Sequence, residues 1–159
     1  MQLVTDSFLH GSAAISNYSE SEGILGPDGL RISQVSYVKR YLQKGIMGTG
    51  ELQLQYCYTT DGVITFVGYE LFSGGISDRR GSFILDTAGS VNIESGVISA
   101  NQSLSKGSCS TEFMGFTGKG SYVVAKNGYC SFEFTIDPCL LYTSPSPRDA
   151  TLSRMPSSA

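Results

Sequence analysis

Apolar and polar residues alternate along most of this chain with the two-residue period of a β-strand, and no stretch long enough for a helix repeats apolar positions at helical spacing. Leu52, Leu54, Tyr56 and Tyr58 share one face of their segment, while Glu51, Gln53, Gln55 and Cys57 share the other. The next segment differs. Val63, Thr65, Val67, Tyr69 and Leu71 alternate with Ile64, Phe66, Gly68, Glu70 and Phe72, so both faces are largely apolar. One face of such a strand meets a barrel interior and the other a covering segment or a partner subunit, which makes a homo-oligomer an expectation.

Turn residues divide the chain into further strands. The pattern predicts strands over 30–42, 51–58, 63–72, 82–87, 91–104, 110–116, 121–125 and 129–136. Pro27-Asp28-Gly29 precedes the first of these, Asp61-Gly62 joins two more, and Asn127-Gly128 makes the last hairpin. Asp-Gly and Asn-Gly tolerate positive φ at both central positions, which suits tight turns. A meander of this kind loses its open edges by rolling up, so the expected fold is all-β, a single antiparallel β-barrel of about eight strands.

Composition agrees. The 159 residues are one domain's worth, rich in glycine and tyrosine and free of tryptophan. A net charge of −3 with no basic stripe excludes a nucleic-acid footprint and makes a membrane surface an unexpected partner. The N-terminus has no basic segment followed by an apolar one, so a cytoplasmic location is the expectation. N-glycosylation triplets at Asn17 and Asn101 carry little weight without a secretion signal.

The expected division is a β-barrel domain over residues 1–138 and a tail over 139–159. The tail drops strand alternation and holds Pro145, Pro147 and Pro156; it resembles translated sequencing-adapter read-through, with a disordered Pro-rich segment as the alternative. Without Cys139 the body keeps Cys57, Cys109 and Cys130, an odd number that argues against a disulfide framework beyond a single bridge such as Cys109 to Cys130. Their spacing is not that of a zinc site, and no metal or cofactor is implied.

The run from Val67 to Gly74, with Arg80-Gly81-Ser82-Phe83-Ile84-Leu85 and Gly89 after it, resembles the signature of a family of small bacterial domains of unknown function that are similar to the allene oxide cyclase-like barrels. The likeness extends upstream through Val38-Lys39-Arg40 to Gly48-Thr49-Gly50, and downstream through residues 115–120 to Ile136. Residues 107–112 match the family's small-residue corner only in part. The resemblance implies an allene oxide cyclase-like barrel with an interior lined by side chains, and by analogy a ligand carrier or cyclase. Fold analogy alone is a weak warrant for function.

Glu70 is the leading chemical candidate. A carboxylate between Phe66 and Phe72 would be stripped of water and able to act as a general acid or base. The structural alternative is an ion pair with Arg79 or Arg80, which follow a glycine turn onto the neighbouring strand. Tyr56, Tyr58, Phe66, Tyr69, Phe72 and Phe83 are the candidate walls of a pocket, although such residues more often form core. His10, the only histidine, is expected near the start of the first strand and exposed, with no partners for nucleophilic catalysis. The pairs Gly48/Gly50, Gly74/Gly75 and Gly118/Gly120 read as barrel corners rather than phosphate loops.

Three functions follow from these residues. The first is binding of a small, mainly apolar ligand in the barrel, anchored by Glu70 and Arg80. The second adds cofactor-free cyclisation or isomerisation by the barrel carboxylate. The third is a filled barrel serving as a structural, interaction or oligomerisation module.

Overall fold

The structure is a computed structural model that describes residues 7–138; the tail lies outside the described residues. Its strands are β1 (Ser7–Glu20), β2 (Ile24–Leu25), β3 (Arg31–Gln43), β4 (Ile46–Tyr58), β5 (Ile64–Ile76), β6 (Arg79–Val91), β7 (Ile98–Leu104), β8 (Thr117–Val124) and β9 (Cys130–Asp137). From β1 the hydrogen-bonded order runs through β9, β8, β7, β6, β5, β4 and β3, and β3 pairs back onto β1. All these pairings are antiparallel, so eight strands close into a barrel, with the two-residue β2 as a flap on β3. β1 closes the cylinder by serving both neighbours: residues 7–13 pair with β9 and residues 13–20 with β3. Its register shifts between Ser16 and Ser19, where Asn17 takes a φ of 57°.

Several strands differ from the sequence pattern. β4 and β5 extend five and four residues further, to Ile46 and Ile76, because Gly48, Gly50, Gly74 and Gly75 are paired strand residues rather than corners between strands. The segment 91–104 is broken by a turn in which Asn92 N–H bonds Val97 O, Ser95 N–H bonds the Asn92 side chain, and Gly96 has a φ of 72°. The segment 110–116 is no strand. It makes a single 3-10 turn (Thr111–Phe113) that drops Phe113 and Phe116 onto one end of the barrel. In the Asp61-Gly62 and Asn127-Gly128 turns only the glycines have positive φ, so each is a three-residue loop ending in a left-handed glycine rather than a two-residue turn.

The interior is stacked in layers. At one end Phe72 lies on Phe83 with ring centroids 4.9 Å apart, and Phe113 meets Phe83 edge-on at 5.3 Å. At the other, Tyr56 stacks on Phe66 at 5.1 Å, above Val35 and Leu54. Between these aromatic layers sit Lys39 and Glu70, each with 0% of its side chain exposed.

Candidate functional site

Strand register builds the central layer. Glu70 on β5 stands opposite Leu52 on β4 and Leu85 on β6, and Lys39 on β3 stands opposite Gly50 on β4. Gly50 makes the room. A Cβ there would lie 2.0 Å from Glu70 Oε2, so any side chain at that position would evict the carboxylate. Lys39 Nζ then lies 3.0 Å from Glu70 Oε1 and 3.6 Å from the centroid of the Tyr122 ring. No N–H of the ammonium is aligned as a hydrogen bond despite the short separation. Coulombic attraction to Glu70 and the aromatic faces of Tyr122 and Tyr41 hold this cation.

Glu70 is better served. The Tyr41 hydroxyl donates to Oε2 at 2.6 Å, and the Gln102 amide donates to Oε1 at 2.8 Å while also bonding the Thr87 hydroxyl at 3.0 Å. A carboxylate surrounded by donors acts as an acceptor only. Tyr37 and Tyr122 share a hydroxyl–hydroxyl hydrogen bond of 2.5 Å across the barrel. Burial pushes the phenols of Tyr37, Tyr41 and Tyr122 above their ordinary value, and burial likewise raises the Cys130 thiol. Beside this layer lies a cavity of about 20 Å³ near Tyr41, Phe72 and Gln102. That is the size of a single water site.

The expected partner of Glu70 is therefore corrected. Arg80 lies across from Gly75, an odd number of residues from Leu85, so it points to the outside of the barrel; its backbone N–H donates to the Glu112 carboxylate at 2.7 Å. Arg79 points inward at the barrel end, where its guanidinium lies 5.6 Å from the Phe116 ring centroid. Lys39 takes the place assigned to arginine. Lys39 shares the inner face of β3 with Val35, Tyr37 and Tyr41, a local signal that it points inward, but only the closure of β3 near β8 brings it to Tyr122.

Of the candidate wall residues, Tyr56, Phe66, Phe72 and Phe83 are buried and stack on one another, and Tyr58 is half-buried at the rim. Tyr69 is a correction: it lies on the outer face with 59% exposure. At the rim, the Tyr58 and Ser33 hydroxyls both donate to Glu20 at 2.5 Å, and Arg31 lies 3.5 Å from the same carboxylate. Desolvation moves Tyr58 up to about 12. His10 is exposed on β1, as expected. Cys57, Cys109 and Cys130 are all free thiols, so the Cys109 to Cys130 bridge does not form. Among the described residues no group of three or more His, Cys, Asp or Glu could hold a metal ion, and no helix is long and apolar enough to cross a membrane.

The outside carries a second feature. A broad open groove of about 1140 Å³ crosses the outer faces of β3 to β8. Gly68 lies in its floor, where β5 packs so close to β4 that a Cβ would lie 2.2 Å from Gln53 O.

Architecturally, the chain is a closed antiparallel barrel with a sealed charged layer and a grooved exterior. A family profile described as a protein of unknown function, DUF3224, matches residues 9–136, and the chain belongs to that family. It is similar to the crystal structure of a DUF3224 protein of unknown function from Shewanella oneidensis MR-1, with a TM-score of 0.69 and 17% identity, over 83% of this chain and 97% of that one. At that identity the likeness concerns the fold. No curated protein matches the chain.

Proposed function

We propose that this chain is a recognition module, with a filled barrel as its scaffold and its working face on the outside. The observation that carries this is the contrast in space: about 20 Å³ inside against about 1140 Å³ in the outer groove. An apolar ligand held by Glu70, or a substrate cyclised by it, needs volume beside that carboxylate, and drug-sized ligands occupy pockets of roughly 300–1,000 Å³. Glu70 is also committed to two donors, Tyr41 and Gln102, and to the Lys39 cation, so using it as a base would disrupt both bonds and the ion pair in a dry site.

An NMR titration with dodecanoate as the apolar probe tests this. The ring resonances of Tyr41, Phe72 and Phe83 should stay in place to millimolar concentration. A saturable shift confined to those rings would mean that the barrel opens to admit ligand, and would overturn the assignment.

A further inference from the structure

Two rows of outward side chains line the groove. Ser36, Gln53, Tyr69, Asp86, Ser103 and Lys119 face one another on six successive strands, and beside them run Gln34, Gln55, Val67, Ala88 and Asn101. Neighbouring strands are about 4.8 Å apart, so six strands make a track roughly 24 Å long. Tyr69 stands near its middle, flanked by Gln53 and Asp86.

The chemistry of these rows selects an occupant. One Asp against one Lys leaves the track without net charge, which offers no counter-ion field to nucleic acid or anionic lipid. Val67, Tyr69 and Ala88 are too few apolar anchors for an amphipathic helix, which needs a continuous greasy groove. An extended peptide gains its affinity by adding to an open sheet edge, and the barrel strands here are paired on both sides. What remains is a dense set of neutral groups able both to donate and to accept, around one exposed aromatic ring. Among the described residues, the side-chain amides of Gln53, Gln55 and Asn101 make no internal hydrogen bond. They are available to a ligand.

We infer that the groove binds a neutral polysaccharide chain, with the apolar face of a sugar ring stacked on Tyr69 and its hydroxyls bonded by Gln53, Gln55, Asp86 and Asn101. The inference rests on the outer-face recognition proposed above and names its ligand class. A pyranose ring presents C–H groups on one face and hydroxyls around its edge, which is the complement of an aromatic ring bordered by amides. Asp86, as a lone acceptor beside the ring, suits a pair of vicinal hydroxyls.

Affinity electrophoresis of the full chain in native gels containing soluble starch, laminarin, xyloglucan or galactomannan tests the inference, with heparin and alginate as anionic controls. At least one neutral glycan should retard the protein, and neither anionic polymer should do so more strongly. Tyr69→Ala should weaken that retardation about tenfold, because it removes the aromatic platform, while leaving the melting temperature unchanged. Gln53→Ala, which keeps the ring, should weaken it by a smaller factor. Retardation by none of the four glycans, by heparin or alginate alone, or equally in Tyr69→Ala would overturn the inference. So would a dimer in light scattering that Tyr69→Ala splits, since a second copy would then be the occupant. These outcomes are independent of the dodecanoate titration: a barrel that stays closed yet binds no glycan removes the ligand class and keeps the scaffold.

Discussion

Glu70→Gln should be among the most damaging single-atom-scale changes in this protein. It preserves the volume and planarity of the side chain but cancels the charge 3.0 Å from Lys39 Nζ. The ammonium then keeps the faces of Tyr122 and, further away, Tyr41, in a layer where its side chain has no solvent exposure. Breaking a buried pair by removing one partner typically costs about 3–5 kcal/mol. With an unfolding entropy near 2.1 cal/mol/K per residue over roughly 130 ordered residues, that corresponds to a fall in melting temperature of about 11–18 °C. Lys39→Met should cost less, because the stranded carboxylate still receives Tyr41 and Gln102. The double variant Lys39→Met/Glu70→Gln removes both charges and should recover most of the loss, to within about 1 kcal/mol of the parent. Urea and thermal denaturation of the four proteins form a complete cycle. A Glu70→Gln penalty under about 1 kcal/mol, or a double variant no more stable than Glu70→Gln, would mean that the pair is not the sealed unit described here.

Two further outcomes follow from the tyrosines. The Tyr56 hydroxyl is buried beside Tyr18, its electrostatic partner, with no aligned bond, so Tyr56→Phe should leave stability within about 1 kcal/mol of the parent, read as the urea midpoint; a larger loss would reveal a strong bond at that oxygen. Burial raises Tyr37, Tyr41, Tyr56 and Tyr122 above the ordinary 10, so the stability that comes from keeping them protonated is fully present below pH 10 and is lost as pH climbs from there through their folded values. Tyrosinate absorbance for these phenols should therefore rise in one cooperative step together with loss of circular dichroism, and smooth ionisation near pH 10 with the fold intact would contradict their burial.

The sequence made the barrel legible because alternation and turn residues are local signals. Leu52, Leu54 and Tyr56 point inward and Gln53 and Gln55 outward, as their period requires. Glycines inside strands were harder to place: Gly48, Gly50 and Gly74 have the composition of a corner, yet they stay in the ladder because inward positions there must admit Glu70 or a neighbouring backbone, while Gly75 pairs with Arg80 on the outer face. Residues 110–116 misled for the opposite reason. Phe113 and Phe116 are apolar at strand-like density, but they are a plug on the barrel end rather than a wall. Glu70 stood out because a lone acid among aromatics is visible along one strand. Its partner did not, since which cation reaches it depends on which strands face across the barrel, and Lys39 arrives from β3 while Arg80 turns away on β6.

Inside and outside are not independent in such a small cylinder. Gly68 sits on the inner face of β5 between Val67 and Tyr69, two residues before Glu70, and its missing side chain lets β5 lie close to the backbone of Gln53 and Leu54. Gly68 lines the groove floor between Val67 and Tyr69, and Glu70, the next inward residue of the same strand, lies over Gly50 beside Lys39. A side chain at Gly68 would push β5 off the β4 backbone and so disturb the outer track and the carboxylate's donors together. The buried ion pair, which hydrophobic residues of similar volume could replace without loss of stability, gains a reason from this coupling: directed bonds from Tyr41 and Gln102 to Glu70 pin one strand register, and the order of Gln53, Tyr69 and Asp86 on the outside is that same register seen from the other face.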